Sequence, residues 1–284
     1  MTRNLDYSAR EYVDKHMDMI GLGTYEIRSE KTIYDVIDSA LEAGYRFIDT
    51  AQVYRNEEFI GRALKEEDIF ITSKLGPANQ GMQKCRKSVE DSLKKLQTDY
   101  VDLYLVHWPG TSKLDPNDER NKELRYESWE CLENLFKEGK LRSIGVSNYN
   151  IPHLEELLKR CSVSPAVNQC EYHPHYYQTD LVQYCEQHRI HFQAYSSFGS
   201  ESNKDELFGD ENIQRMAQKY NASVTEFLLA WALCQGMSVL PRSRNPEHVK
   251  SNFAAKRLKI SAEDVELVKR PQVKKYCWDP ATIR

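Results

Sequence analysis

Short apolar runs alternate with amphipathic segments along the whole chain, and this alternation restricts the folds that the sequence can adopt. Eight runs are candidate strands: Met19–Gly23, Arg46–Asp49, Ile69–Lys74, Val101–His107, Ser143–Ser147, Ala166–Glu171, His191–Tyr195 and Ser238–Pro241. Most of them are apolar at consecutive positions, which is typical of strands buried on both faces of a parallel sheet. The pattern therefore predicts an α/β protein built on such a sheet.

The segments between these runs have the spacing of amphipathic helices. In Thr32–Ala43 one helical face carries Ile33, Val36, Ile37, Ala40 and Leu41. The same spacing is found in Gln83–Leu96, Glu123–Lys137, Pro152–Lys159 and Leu181–His188. A further helix is predicted to begin at Asn245-Pro246, because asparagine caps a helix and proline suits its first position. Glycines follow three predicted helices, at Gly44, Gly139 and Gly236, where a left-handed residue ends a helix.

Strand and helix alternate without a composition break or a linker, which predicts one (β/α)8 TIM barrel domain spanning residues 1–284. The alternative is a doubly wound dinucleotide-binding sheet, which Gly21-Leu22-Gly23 would suit. Glu26 stands where the third glycine of that motif belongs, and no acidic residue follows a second strand at the expected distance. We interpret the two glycines as a tight strand-end turn whose backbone closely approaches a ligand.

Composition excludes several classes of function. The 284 residues carry a formal net charge of −4, so charge gives no reason to bind nucleic acid or an acidic membrane. The seven cysteines are scattered and never spaced as Cys-x-x-Cys, which indicates free thiols in a reducing, cytoplasmic compartment. The N-terminus is too polar for a signal peptide, and the most apolar run, Phe227–Cys234, is too short to span a bilayer.

Four ionisable residues stand at or just beyond the C-terminal ends of the second, third and fourth strands: Asp49, Tyr54, Lys74 and His107. Each alone has an ordinary structural explanation, such as a helix cap for Asp49 or simple packing for Tyr54. In a (β/α)8 barrel, however, the C-terminal strand ends converge on the face that carries the chemistry. The joint pattern therefore predicts an active site.

Several motifs in the right order resemble the aldo-keto reductase superfamily over nearly the whole chain. They are Gly44–Ala51 followed by Glu58 and Ile60-Gly61, then Gly145–Asn148, Val167–Gln169 and Leu240–Ser243. The superfamily includes aldose and aldehyde reductases and members like prostaglandin F synthase. The resemblance implies an NADPH-dependent (β/α)8 barrel that reduces aldehydes and ketones. It also implies that Asp49, Tyr54, Lys74 and His107 form the catalytic tetrad.

The chemistry assigns a role to each member of the tetrad. Hydride transfer to a carbonyl builds negative charge on its oxygen, which then needs a proton. Tyr54 is the candidate acid, and the Lys74 cation is expected to favour its phenolate and so lower its pKa. Asp49 is expected to hold Lys74 charged and in place, while His107 forms a hydrogen bond with the carbonyl oxygen and orients the substrate.

The resemblance also implies a set of cofactor-binding residues. They are Gly23, Thr24, Asp49, Ser147, Asn148, Gln169, Tyr195, Ser196, Ser200, Arg242, Ser243, His248 and Asn252. Polar groups of Ser147, Asn148 and Gln169 suit the nicotinamide carboxamide, and Tyr195 is expected to stack on its ring. Arg242 matches a family lysine that binds the 2′-phosphate of NADPH, next to a predicted helix N-terminus. His248 departs from the arginine that is common at its position.

Tyr25, His107 and Trp108 match substrate-pocket positions of the family. The chain departs from the family at Gly76, which replaces a pocket tryptophan, and in the short link after Leu64, which predicts a truncated second barrel helix. The usual N-terminal hairpin lacks its turn signal in residues 1–20. With these departures, the short C-terminal tail predicts an open pocket with relaxed specificity. The resemblance also implies a monomer that acts on small carbonyl compounds.

Two other interpretations of the sequence stay open. His173-Pro174-His175 could bind a metal, but only Glu171 stands near at ligand spacing, so a turn leaving the sixth strand is favoured and no metal site is predicted. The chain could also be a cofactor-binding regulatory or structural relative, like potassium-channel β subunits or some lens crystallins. The intact tetrad favours an enzyme.

Overall fold

Eight parallel strands form one sheet in which the spatial order follows the chain order. The computed structural model describes residues 7–64 and 67–283. The strands are β1 (Leu22–Gly23), β2 (Phe47–Asp49), β3 (Phe70–Leu75), β4 (Leu103–Val106), β5 (Ile144–Ser147), β6 (Val167–Glu171), β7 (His191–Tyr195) and β8 (Ser238–Val239). A doubly wound sheet reverses its strand order at a switch point. The unbroken order seen here rules out that alternative.

The first and last strands lie beside each other. The Gly21 amide donates to the Val239 carbonyl at 2.9 Å, and the Val239 amide donates to Met19 at 2.8 Å. Two residues further on, the Gly23 amide donates to Pro241 at 3.0 Å. A Cβ added to Gly23 would lie 2.7 Å from the Leu240 carbonyl oxygen, so glycine is required by the neighbouring strand. The close backbone approach at Gly23 is therefore made to the segment that follows β8. The predicted approach of this turn to a ligand stays a prediction.

At least one helix follows every strand. The helices are α1 (Ala9–His16), α2 (Glu30–Ala43), α3 (Glu57–Ala63), α4 (Met82–Leu96), α5 (Arg120–Lys137), α6 (Ile151–Leu158), α7 (Thr179–Gln187), α8 (Lys204–Phe208), α9 (Glu211–Lys219), α10 (Val224–Leu233), α11 (Pro246–Ala254) and α12 (Ala262–Leu267). Short 3-10 helices lie at Gln52–Tyr54, Pro77–Asn79, Ala255–Arg257 and Pro280–Thr282. The structure confirms the predicted class, an α/β protein on a parallel sheet.

Local signals set the helix ends as the sequence indicated. The N-terminal cap of α11 is Asn245, whose side chain accepts a hydrogen bond from the Glu247 amide, and Pro246 occupies the first helical position. Gly44 adopts a left-handed φ of 103° and closes α2. The left-handed residue lets the chain turn directly from α2 into β2.

The most apolar segment of the chain is a core helix. In α10 the residues from Phe227 to Ala232 are buried, and the Trp231 indole donates to the Val265 carbonyl at 2.9 Å. Within residues 7–64 and 67–283, no helix is long and apolar enough to cross a membrane. The apolar run therefore anchors α10 between the sheet and the C-terminal segments.

Helix α1 covers the N-terminal ends of the middle strands. Tyr12 donates to Asp102 Oδ1 at 2.6 Å, and Asp102 Oδ2 accepts the Ile71 amide at 2.8 Å. The Ser143 hydroxyl donates to the Ala9 carbonyl at 2.8 Å. Where a hairpin was expected to be altered, the structure has a helix over residues 9–16. Residues 1–6, which the same prediction covered, lie outside the described part of the chain.

The helix that follows β2 is short, as predicted. Helix α3 has 7 residues, and Ile60 on its inner face is fully buried. A Cβ added to Gly61 would lie 2.5 Å from the Lys95 carbonyl oxygen at the end of α4. The two helices therefore pack backbone to backbone at this point.

Candidate active site

The four predicted catalytic residues meet at the C-terminal end of the sheet. Asp49 is the last residue of β2, and Tyr54 ends the 3-10 helix just beyond it. Lys74 is the second-last residue of β3, and His107 directly follows β4. Because parallel strands share the direction of their C-terminal ends, these positions converge on one side of the sheet.

Lys74 contacts two of the other three residues, Asp49 and Tyr54, through its ammonium group. Its Nζ lies 2.6 Å from Asp49 Oδ1, 2.9 Å from the Thr50 carbonyl oxygen and 3.4 Å from the Tyr54 hydroxyl. Lys74 is fully buried, and Asp49 and Tyr54 are only 4% and 8% exposed. The lysine is thus fixed by two oxygens and directed at the phenol.

Burial is the largest contribution to the pKa shifts of Asp49 and Lys74. It raises the pKa of Asp49 and lowers the pKa of Lys74, and the attraction between the two groups opposes both shifts. A contact of 2.6 Å between an ammonium and a carboxylate is a charge-assisted hydrogen bond, which favours the ion pair even without water. Gln169 adds a second donor to Asp49, with its Nε2 at 2.8 Å from Oδ2.

The pKa of Tyr54 shifts in the direction opposite to the one predicted. Burial raises it well above 10, and the Asp49 carboxylate and Tyr25 add to the rise. We expected Lys74 to favour the phenolate, but its charge is already balanced by Asp49, so the cost of burying a phenolate prevails. In the protein alone Tyr54 therefore keeps its proton.

His107 completes the cluster from the next strand. Its ring centre lies 5.7 Å from that of Tyr54, at an angle of 76°, and its Nδ1 is buried without a hydrogen-bond partner among the described residues. Burial, helped by the Lys74 cation, lowers the pKa of His107 to about 3. The imidazole is therefore neutral near pH 7 and keeps a free ring nitrogen for a ligand.

A chain of amide and hydroxyl groups extends the site across β5, β6 and β7. Gln169 Nε2 also donates to Gln193 Oε1 at 2.7 Å, and the Ser147 hydroxyl donates to the Gln169 carbonyl at 2.8 Å. Asn148 donates to the His107 carbonyl at 3.1 Å and accepts from the Tyr195 hydroxyl at 2.7 Å. These bonds bring the predicted nicotinamide residues into one network with the tetrad.

The backbone is strained where this network meets the loops. Asn148 and Ser196 have left-handed φ angles of 63° and 51°. Such angles are costly for residues with a Cβ, and they are concentrated at functional sites. The hydroxyl of the neighbouring Ser197 is buried and has no hydrogen-bond partner in the described part of the chain. Ser200 lies further along the same loop, where its hydroxyl accepts from Asn203 at 2.9 Å.

The predicted phosphate-binding residues follow β8. Arg242 is 25% exposed and pairs with Glu26 at 3.3 Å and with Glu201 at 3.5 Å. Arg244 donates to the Glu26 carbonyl at 3.2 Å. Ser243 accepts from the Asn245 amide at 3.0 Å, just before α11. On α11 itself, His248 is exposed and Asn252 is buried.

The predicted substrate residues form an aromatic rim. Tyr25 is 54% exposed, and its ring centre lies 5.1 Å from that of Tyr54. Behind it, the buried Thr24 hydroxyl donates to the Asp49 carbonyl at 2.8 Å, which fixes the loop after β1 on the site. Trp108 follows His107 after β4, and its ring centre lies 6.5 Å from that of Trp278 in the C-terminal tail.

The His173-Pro174-His175 segment forms the predicted turn. The His173 amide donates to the Tyr176 carbonyl at 3.2 Å, and the reverse bond is 2.8 Å. His173 Nε2 lies 3.0 Å from Glu171, and His175 Nε2 lies 3.0 Å from Asp210. No group of three metal-ligating side chains occurs among the described residues.

Comparisons with known proteins identify the family of this chain. A sequence model of the Aldo/keto reductase family matches residues 19–271. The chain belongs to the aldo-keto reductase family. It is 37% identical to the glyoxal reductase of Bacillus subtilis (strain 168), covering 89% of this chain and 88% of that protein. It is 38% identical to methylglyoxal reductase DkgB of Escherichia coli O157:H7, covering 87% and 90%. The crystal structure of an aldo-keto reductase from a Medee basin deep-sea metagenome library has a TM-score of 0.85 at 34% identity and covers 93% and 94%.

Three residues of this aldo-keto reductase support the site but were not predicted to do so from the sequence. Asn56 is fully buried, accepts from the Thr50 hydroxyl at 2.6 Å and donates to the Thr24 carbonyl at 2.9 Å. Gln193 is fully buried and accepts from Gln169 at 2.7 Å, and the fully buried Glu171 holds the C-terminal tail that carries Trp278. Their only sequence signal is a polar residue within or beside an apolar run, and this signal does not identify the partner.

Proposed function

We propose that this aldo-keto reductase is an NADPH-dependent enzyme that reduces small aldehydes and ketones, with α-oxoaldehydes such as glyoxal and methylglyoxal as the first class to test. The observation that carries the proposal is the contact of Lys74 with Asp49 and Tyr54, next to the unpartnered Nδ1 of His107. The substrate class comes from the names of two relatives, a glyoxal reductase and a methylglyoxal reductase.

The residues present fit a nicotinamide dinucleotide. Two polar groups of the site, His107 Nδ1 and the Ser197 hydroxyl, are buried and lack partners among the described residues, which is typical of atoms that a ligand satisfies. Ser147, Asn148 and Gln169 would hold the carboxamide, and Tyr195 would lie against the ring. When bound, the nicotinamide supplies a hydride to the carbonyl carbon.

Loops around the same end of the sheet would hold the rest of the dinucleotide. Gly23 and Thr24 border it after β1, and Ser196 and Ser200 border it after β7. Arg242 and Ser243, with His248 and Asn252 on α11, would hold the adenosine end. An arginine just before a helix N-terminus suits a phosphate, because both present N–H donors and positive charge.

The tetrad divides the chemistry among its members. Tyr54 keeps its proton until negative charge develops on the carbonyl oxygen, and then donates it to that oxygen. Lys74 stabilises the phenolate that remains, and Asp49 holds Lys74 in position. His107, neutral because its pKa is about 3, forms a hydrogen bond with the carbonyl oxygen and orients it.

The fold suits this proposal. The hydrogen bonds between β1 and β8 support a closed (β/α)8 barrel, in which the whole chain forms one domain and all eight strand ends surround one site. We also propose a monomer in the cytoplasm. The cysteines agree with a reducing compartment, since the structure describes all seven as free thiols.

The first test follows NADPH absorbance with glyoxal and methylglyoxal, for the wild type and Tyr54→Phe. We expect Tyr54→Phe to lower kcat about 10²- to 10⁴-fold, because it removes the proton donor and keeps the ring. Tyr184→Phe on α7 is the matched control, since this tyrosine stacks on His188 outside the site. A Tyr54→Phe enzyme with the wild-type rate would exclude the acid role.

A cofactor-binding regulatory or structural protein is the second candidate. Quenching of tryptophan fluorescence by NADPH, without consumption of NADPH when any carbonyl compound is added, would favour it. The search would then turn to protein partners.

A further inference from the structure

The charge of Arg242 is already engaged by two carboxylates. Its Nη2 lies 3.3 Å from Glu26 Oε2, on the loop after β1, and 3.5 Å from Glu201 Oε2, on the loop after β7. Three loops thus meet at one guanidinium. Any anion that binds Arg242 must compete with both carboxylates.

Glu26 is the stronger competitor of the two. Its side chain is 40% exposed, against 71% for Glu201, so water screens its charge less. Its carbonyl oxygen also accepts a hydrogen bond from Arg244 Nη2 at 3.2 Å. A left-handed φ of 60° fixes its backbone in this position. Glu26 therefore contacts both arginines that precede α11.

We propose that Glu26 is a specificity-determining residue that weakens the binding of 2′-phosphorylated nucleotides at Arg242 and so narrows the preference for NADPH over NADH. The inference rests on the proposed function, which places the adenosine 2′-phosphate at this arginine. A phosphate dianion must displace the Glu26 carboxylate and then stay close to it, and like charges repel. A nucleotide with a free 2′-hydroxyl carries no charge at this position and does not face this competition.

Glu26 could instead assist phosphate binding, and removing its charge would then change the affinity in the opposite direction. If its carboxylate served to orient Arg242 for the phosphate, removing the charge would weaken binding of the phosphorylated nucleotide. Removing a competitor strengthens it. The direction of a single change in affinity therefore decides between the two roles.

The test is the binding of adenosine 2′,5′-bisphosphate and adenosine 5′-monophosphate, two probes that differ only in the 2′-phosphate. Isothermal titration calorimetry measures both for the wild type and Glu26→Gln. We expect Glu26→Gln to bind the bisphosphate about 3- to 10-fold more tightly, the scale of a partly exposed ion pair, and the monophosphate equally well. Glu201→Gln should increase the affinity for the bisphosphate by a smaller factor. When Arg242 is also replaced by Gln, Glu26→Gln should not change that affinity.

Glu138→Gln is the matched control. Glu138 is 38% exposed and pairs with an arginine, Arg86, at 2.6 Å on the outer side of α4 and α5. Glu138→Gln should leave the affinities for both nucleotide probes unchanged. Thermal unfolding of each variant establishes that it is folded before titration.

The outcomes separate this inference from the proposed function. Unchanged or weaker binding of the bisphosphate by Glu26→Gln, in a protein whose wild type consumes NADPH with a carbonyl substrate, overturns the role of Glu26 alone. A wild type that binds neither probe and consumes no NADPH overturns both. Tighter binding of both probes also overturns the inference, because the effect would then not depend on the 2′-phosphate.

Discussion

Lys74 places an ammonium group where the side chain is fully buried, and this is tolerated because its partners are fixed. A charge transferred from water into a protein interior costs several kcal/mol unless an opposite charge and further hydrogen bonds compensate. Asp49 provides the charge at 2.6 Å and the Thr50 carbonyl provides a second acceptor at 2.9 Å. The cluster is therefore arranged for function at a cost to stability.

Removing one member of this pair should lower the stability of the protein more than removing both charges does. In Lys74→Met the Asp49 carboxylate loses its cation and is left with Gln169, so we expect a loss of about 3–5 kcal/mol in the free energy of unfolding. Adding Asp49→Asn should recover at least about 1 kcal/mol, because no buried charge then remains unpaired. Urea unfolding measures both.

Lys31→Met serves as the control for the Lys74 variants, since this lysine is 83% exposed. It should change the free energy of unfolding by less than about 0.5 kcal/mol. The opposite finding, a double variant less stable than Lys74→Met alone, would show that the pair is not held by its charges.

At the residue scale the sequence predicted which four residues lie together at the strand ends, but not their ionisation. The positions of Asp49, Tyr54, Lys74 and His107 follow from the ends of apolar runs, which are local features. The direction of the Tyr54 pKa shift depends on how deeply the phenol is buried and on which partner holds Lys74. Neither can be deduced from residues that are neighbours in the chain.

At the scale of elements, the end of β6 fixes the C-terminal tail. The buried Glu171 carboxylate accepts from Lys275 Nζ at 2.7 Å and from the amides of Tyr276 and Cys277 at 2.6 Å and 3.0 Å. His173 contributes a further contact at 3.0 Å. Burial by itself would raise the pKa of Glu171, but His173 and the charge of Lys275 outweigh it and hold that pKa at about 2.

We expect Glu171→Gln to release this tail. An amide group cannot accept all of these donors, so the free energy of unfolding should fall by about 2–4 kcal/mol. Hydrogen exchange at the Tyr276 and Cys277 amides should accelerate before global unfolding. Glu186→Gln, at an exposed position on α7, is the control; equal exchange in both variants would show that Glu171 does not hold the tail.

The order and type of the elements were largely predictable, and their exact ends were not. The candidate strand Met19–Gly23 is observed as β1 over Leu22–Gly23, with an isolated bridge at Ile20. Apolar patterns extend as far as residues are buried, whereas a strand ends where its hydrogen-bonding neighbour ends. Leu22–Gly23 is the part that pairs with β2, whereas Ile20 forms an isolated bridge to Val239, more than two hundred residues later in the sequence.

At the scale of the whole molecule, packing holds several histidines neutral. Burial lowers the pKa of five of the described histidines: His107, His153, His173, His175 and His191. His191, at the start of β7, is an example in which burial is the main cause of the lowered pKa. Its Nε2 lies 2.8 Å from the Ser238 hydroxyl and 3.3 Å from the Ser238 amide.

This packing should make stability depend on pH. Burial, with help from Arg10, lowers the pKa of His191 to about 4, below the value of about 6.5 in an unfolded chain. Between these values the unfolded state binds more protons, so the contribution of His191 is complete above pH 6.5 and is lost as the pH falls toward 4. Between pH 7 and pH 5, the free energy of unfolding of His191→Gln should fall by about 1–2 kcal/mol less than that of the wild type.

Urea unfolding at the two pH values measures this difference. His188→Gln, at an exposed position beyond α7, is the control and should follow the wild type. Parallel pH dependence in the wild type and His191→Gln would rule out His191 as a source of acid sensitivity.

The sequence by itself determined the alternation of strands and helices, the helix ends at Gly44 and Asn245, and the positions of the tetrad. These depend on periodicity, on capping and on the shared direction of strand ends, all of which are local. Only the tertiary structure decided that Gln169 binds Asp49, that Tyr54 keeps its proton and that Glu26 occupies Arg242. These features depend on distances and burial between segments far apart in the chain, which local patterns do not specify.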